Sequence, residues 1–338
     1  MANAWEASAI ELGQCGLDQA TIHSISTHRP SIDLDNEAAM LTKLGIQAAT
    51  YHDDDYPVRL REIPDFPPII FVKGELLATD EMGFAIVGSR IPTTYGKQVT
   101  REITEGIAQA GVTVISGLAR GVDTVAHETT LEAGGRTIAV CATGLDRVYP
   151  ASNYALAQKI VKNGAIISEY PPGTRPRPEY FPKRNRIMSG MSLGVVVTEA
   201  RKNSGALITA KLALDYNRDV FAVPGSIYSP NSFGTNALIG EGAKLVTSAR
   251  DVLEEINLFP APEEQGMLRL EPKNHTEKMM FDVLANEPLH IDEIVRSTGL
   301  ATNEVSSALT IMELKGWIVQ VGVMCYALAS HKIDTGKN

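Results

Sequence analysis

The chain has 338 residues, enough for two or three domains, and its 44% apolar content is that of a protein with sizeable cores rather than of a disordered one. A net charge of −9 excludes coating of nucleic acid by the whole surface, because phosphate binding rests on local Lys and Arg density and any such site must be a concentrated patch. No apolar run is long enough to cross a bilayer and the start MANAWEASAIELG is not a signal sequence, so a cytoplasmic protein is expected.

Residues 1–57 carry short helical patterns, for example Ala38 to Lys43, and end near the acidic turn Asp53-Asp54-Asp55, as expected of a small helical module. Pro57, Pro64, Pro67 and Pro68 then break helices and lead into a strand from Ile69 to Val72. Over residues 58–257 short apolar runs alternate with helical segments. The runs are Phe84 to Val87, Val112 to Ser116, Thr137 to Ala142, Ala165 to Ser168, Gly194 to Thr198 and Asp219 to Val223. Continuous apolar strands separated by helices predict an α/β, Rossmann-like, doubly wound parallel sheet, with ligands beyond the C-terminal strand ends. Residues 258–273, with Pro260, Pro262 and Pro272, read as a linker. In residues 274–330, helical patterns at Thr276 to Ala285, Ile291 to Ser297 and Thr302 to Lys315 precede strands at Trp317 to Val321 and Met324 to Leu328, which predicts a winged helix. Its presumed recognition helix holds Glu304, Glu313 and only Lys315, so protein contact is favoured over reading a major groove. Cys15, Cys141 and Cys325 show no CxxC or Cys/His spacing, so reduced, packed thiols are expected and no metal site.

Four segments can carry chemistry. Val87-Gly88-Ser89-Arg90 ends a strand, where Gly88 permits a close turn, Ser89 begins the exposed corner and Arg90 offers a fork of donors for a phosphate; a plain turn is the alternative. Ser116 to Asp123 places Arg120 at a second strand-to-helix corner between Gly117 and Gly121; alternatively Arg120 pairs with Asp123, a residue suited to a helix N-cap. Ser204 and Gly205, after the strand ending at Thr198, can present backbone donors to a phosphate or simply start a helix. Phe181-Pro182-Lys183-Arg184-Asn185-Arg186 joins three cations to an aromatic and an amide, the combination that single-stranded nucleic acid needs; a solvated basic face is the alternative. From Arg175 to Arg186 five cations are opposed in sequence only by Glu179.

Enzyme signatures are weak. GxxxxGK[ST] is absent, and His127-Glu128 lacks the second His of a zinc peptidase. Gly190 to Gly194 matches GxSxG, but a nucleophile elbow needs a strand before the Ser and a helix after it, and here the order is reversed.

These residues resemble the DprA (Smf) family of DNA-processing proteins over roughly residues 57–256. The resemblance is carried by FAIVGSR (84–90), TTYG (93–96), ISGLARGVD with a following AH (115–127), TIAVCATGLDRVYP (137–150), ISEYPPG (167–173), FPKRNRIMSG (181–190), SGALITA (204–210) and VFAVPGSI (220–227). It implies an extended Rossmann-like fold, a SAM-like (sterile-alpha-motif-like) helical module in residues 1–57 matched in length and pattern, a homodimer, no cofactor, and a role in recombination and natural transformation in which single-stranded DNA is bound and delivered to RecA. It further implies a pocket comprising Gly88, Ser89, Arg90, Arg120, Lys183, Arg184, Asn185 and Arg186, with Phe181 as a stacking partner, in which no bond chemistry is needed. The competing expectation from another class is a nucleotide-processing hydrolase, for which Glu169, Glu199 and Asp146 are the available acids, though nothing in their spacing pairs them. A third is a transcription regulator acting through its winged helix, which the acidic helix disfavours.

Overall fold

The structure is a computed structural model that describes residues 5–256, 275–284, 288–314, 317–322 and 324–328. By contacts the chain divides into two compact units, Met1–Phe259 and Pro260–Asn338. The expected linker 258–273 lies outside the described residues, as do Ala285, Lys315 and Gly316 at the expected helix ends.

The first unit opens with helices Ala9–Gln14, Gln19–His28 and Leu34–Leu44. Ser8, Asp18 and Asp33 cap them by accepting from backbone N–H groups of the first turn, and Gly45 in the left-handed region stops the third. Nine strands follow in one sheet: β1 (Gln47–Thr50), β2 (Ile69–Gly74), β3 (Gly83–Val87), β4 (Thr113–Ser116), β5 (Thr137–Cys141), β6 (Gly164–Ser168), β7 (Gly194–Val197), β8 (Asp219–Ala222) and β9 (Lys244–Leu245). Their order is β1-β2-β6-β5-β4-β3-β7-β8-β9. Pairings from β6 to β9 are parallel, whereas β1 with β2 and β2 with β6 run antiparallel. The stretch read as helical up to Pro57 therefore ends in an edge strand, which its sequence hides because only Ala49 of the four residues is buried.

The parallel strands read as continuous apolar runs because both faces of the sheet are covered. Successive residues of β3 alternate between two cores: Ala85 and Val87 join Val195, Val197 and Met188 on one face, while Phe84 and Ile86 join Val196, Phe221 and Ile103 on the other. The Phe84 and Phe221 rings meet edge to face at 5.7 Å. A sheet buried on both faces leaves only its strand ends for ligands.

In the second unit the helices His275–Leu284, Ile291–Thr298 and Thr302–Leu314 pack around a separate core that includes Met280, Ile294, Val305, Leu309 and Ile318. The strands Ile318–Gly322 (β11) and Cys325–Leu328 (β12) pair as expected of a winged helix, and a two-residue strand Leu289–His290 (β10) adds to β12. Two residues are too few for a periodic signal, so β10 was not foreseeable. No described helix is long and apolar enough to cross a membrane. Of the three free cysteines Cys141 is buried but Cys15 is exposed, which corrects the expectation of packed thiols.

Candidate functional site

From β3 the chain winds outward through β4, β5 and β6 on one side, and through β7, β8 and β9 on the other. The direction reverses between β3 and β7, and in such sheets a crevice opens beyond the C-terminal strand ends at that reversal. Here it is an open pocket of about 650 Å³ lined by Gly88, Ser89 and Arg90 after β3, by Arg201, Asn203, Ser204 and Gly205 after β7, and by one face of the helix Tyr180–Met191.

That helix splits the basic run. Phe181, Arg184, Asn185 and Met188, spaced i, i+3, i+4 and i+7, all line the pocket. Pro182, Lys183 and Arg186 turn to a neighbouring depression lined also by Asp65, Glu169 and Tyr170, and Pro182 and Ile208 border both. The basic segment is therefore part of a helix whose periodicity sends its cations to different places.

Three arginines of similar appearance in sequence have three fates. Arg90 is exposed, and its guanidinium lies 5.4 Å from the centre of the Phe181 ring, which itself meets Tyr149 at 5.7 Å. Arg184 is only 4% exposed; its Nη1 donates to the Val140 carbonyl, and it serves as the pocket floor rather than as a free phosphate ligand. Burial lowers its guanidinium from the ordinary value, against the pull of Asp123, and Arg remains protonated at neutral pH. Arg186 pairs with Glu169 and lies 3.5 Å from Asp65, so the patch opposed in sequence only by Glu179 is in space opposed by two further carboxylates. Lys183 and Arg120 are exposed and stand outside the pocket.

The second corner also differs from expectation. Asp123 neither pairs with Arg120 nor caps the helix Val122–Glu132, whose N-cap is Gly121. It is buried and accepts from the N–H groups of Gly117 and Ala119 at 3.2 and 3.3 Å. Burial pushes its carboxyl up, with Arg184 and those N–H groups opposing. Gly117 and Gly121 do not face the pocket. A Cβ on Gly117 would lie 1.9 Å from Arg184 Nη1, and one on Gly121, at φ +83°, would lie 2.3 Å from the Ser89 carbonyl. They are close-approach positions that bring the β4 corner against the β3 loop and the floor arginine. The corners are tied by Val122 N–H donating to Ser89 O at 3.0 Å.

Ser204 caps the helix Gly205–Asp215 by accepting from Ala206 N–H. The Gly205 N–H makes no backbone hydrogen bond among the described residues, and a Cβ there would meet nothing within 4 Å, so this helix end is open. Asn185 Nδ2 donates to Gly205 O at 3.4 Å. The three acids weighed for hydrolysis are committed elsewhere: Glu199 accepts from Thr93 N–H and Oγ1, Glu169 holds Arg186, and Asp146 accepts from Gly173 N–H and Arg147. Sequence reasoning missed Tyr149, Arg201 and Asn203 as lining residues. Arg201 and Asn203 lie between the end of β7 and the Ser204-Gly205 helix start, and that place directly after a strand end was the signal available in the sequence.

A family model for DNA recombination-mediator protein A matches residues 47–257, beginning where β1 begins, and one for the DprA winged helix domain matches residues 268–322. The chain belongs to the DprA/Smf family. Protein Smf of Synechocystis sp. is 36% identical over 361 residues, covering 96% of this chain and 91% of its own. DNA processing protein DprA of Bacillus subtilis is 44% identical over 213 residues, covering 63% and 72%. The X-ray structure of DprA from Streptococcus pneumoniae aligns at a TM-score of 0.63 with 40% identity over 75% of this chain and 93% of that one. DprA from Helicobacter pylori, solved for its single-stranded DNA binding mode, aligns at 0.56 with 31% identity over 62% and 95%. Membership in the DprA/Smf family makes this a DNA-processing, recombination-mediator protein.

Proposed function

We propose that the chain binds single-stranded DNA across the switch-point pocket and, as a homodimer, delivers it to the strand-exchange recombinase RecA in recombination and natural transformation. The observation that carries this is the Arg90–Phe181 pair, an exposed guanidinium over an aromatic ring at the pocket mouth, with no ion pair to Arg90 among the described residues. A ring takes the face of any unstacked base and a guanidinium takes a phosphate, and both are indifferent to sequence. The open Gly205 N–H at a helix start offers a second anion position across the pocket, and the Asn185 amide beside it can meet a base edge. Gly88 and Ser89 contribute backbone, Arg120 and Lys183 add exposed charge around the rim, and no bond is made or broken. The single-stranded DNA binding mode described for the Helicobacter pylori relative supports the choice of ligand; delivery to RecA and dimerisation rest on the family resemblance.

The test is a salt titration of binding to single-stranded and duplex oligonucleotides by the intact protein and by Arg90→Ala and Phe181→Ala variants. Preference for single strands, weakened in both variants, is expected; unchanged binding in both removes the pocket from the mechanism.

A further inference from the structure

Beside the switch-point pocket lies a second depression of about 560 Å³, with Pro182 and Ile208 forming the ridge between them. Its wall includes the Tyr170 ring, which stacks on Tyr180 at 4.2 Å with 25° between the planes. Arg177 in turn sits 5.8 Å from the centre of the Tyr180 ring, a cation over an aromatic like Arg90 and Phe181. Lys183 stands exposed on the lip, with no ion pair among the described residues. The floor is different. Arg186 is neutralised by Glu169 and Asp65, and the Asp65 side chain is 54% exposed, its Oδ1 accepting from Tyr216 Oη.

These groups sort a nucleotide by its parts. A phosphate is attracted to Lys183 and repelled by the carboxylates behind it, so what can enter is a base. Its face lies on an aromatic wall and its edge meets acceptors. Cytosine and adenine carry an exocyclic amine with two N–H donors for a carboxylate, whereas an unpaired thymine offers it only the single N3–H, set between two carbonyl oxygens that the carboxylate repels.

Resting on the single-strand reading above, we propose that this depression is a second base-binding subsite, reached by a strand that crosses the Pro182–Ile208 ridge, and that it prefers cytosine and adenine over thymine. Lys183 holds the phosphate at the crossing. Tyr170 is the stacking wall, and Asp65 is the acceptor that discriminates. The overall binding is then sequence-tolerant in the first pocket and biased in the second.

The experiment measures affinities of the full chain for dC and dT oligonucleotides of graded length at neutral pH. Short strands that fill one pocket should bind alike. Once the strand is long enough to cross the ridge, dC should bind more tightly than dT, and Asp65→Asn should abolish that difference. Tyr170→Ala should weaken long strands about 5- to 100-fold while leaving short ones unchanged. Tyr170→Phe, which keeps the ring, should retain the length-dependent gain and separates stacking from a folding defect. Equal affinity of long dC and dT, or a Tyr170→Ala loss independent of length, overturns the proposal. Arg90→Ala is measured alongside: an effect of Arg90 without any length or base dependence leaves the first pocket standing and removes only the second, whereas no effect of Arg90 removes the first.

Discussion

Arg90, Arg184 and Arg186 illustrate how burial decides what a guanidinium can do. Of these three, only Arg90 is both exposed and without an ion pair among the described residues, so Arg90→Ala should lower the slope of log affinity against log salt for single strands by about 0.7, the share of one phosphate. Phe181→Ala should cost about 1–3 kcal/mol of stacking at every salt concentration without changing the slope. Arg184→Ala should act through stability, because it leaves Asp123 buried without its nearby cation; a loss of about 3 kcal/mol in urea unfolding is expected. His127 supplies a further residue-scale test. It is fully buried, its Nδ1 lies 2.7 Å from Thr137 Oγ1, and burial, with Arg184 adding, pulls it down to about 3. In the unfolded chain the ring titrates near ~6.5. Below that pH the unfolded state takes up a proton that the native state refuses, so stability falls on acidification from about 6.5 towards about 3, by at most ~1.4 kcal/mol per pH unit. His127→Asn removes this contribution, and the acid-induced drop of the urea midpoint should shrink.

At the scale of the element, the helix Tyr180–Met191 and the β4 corner do the positioning. A helix repeats every ~3.6 residues, so six consecutive residues cannot share one face. Phe181, Arg184 and Asn185 therefore go to the first pocket while Lys183 and Arg186 go to the second. The run was readable as basic and aromatic, but its division required the helix and what packs on each side. The Gly121 position makes a sharper test. Its φ of +83° disfavours any side chain, and an added Cβ would press on the Ser89 carbonyl. Gly121→Ala should cost about 1–3 kcal/mol in unfolding and, by displacing the Ser89–Arg90 loop, weaken single-strand binding as well.

At the scale of the whole molecule, each unit has its own core, and a net negative chain carries local gatherings of cations. The second unit buries its own cluster around Ile294 and Leu309, apart from the cores that flank the nine-stranded sheet. Two such units need not unfold together, so calorimetry or urea titration of the intact chain should resolve two transitions rather than one. A chain with net charge −9 repels a polyanion except where cations gather. Binding should be steeply salt-dependent and favour single strands, whose bases are free to enter a pocket that a stacked duplex cannot fill.

The fold class and the loops that meet at the switch point were legible in the sequence, because continuous apolar strands, corner glycines and helix caps are local signals that burial on two faces and backbone geometry impose. The ordered motifs also carried the family. What the tertiary structure alone decided was the standing of each charge: which arginine is solvated, which is the floor, and which is neutralised by Asp65 and Glu169 from distant parts of the chain. Desolvation and pairing depend on neighbours in space, and no spacing along the chain encodes them.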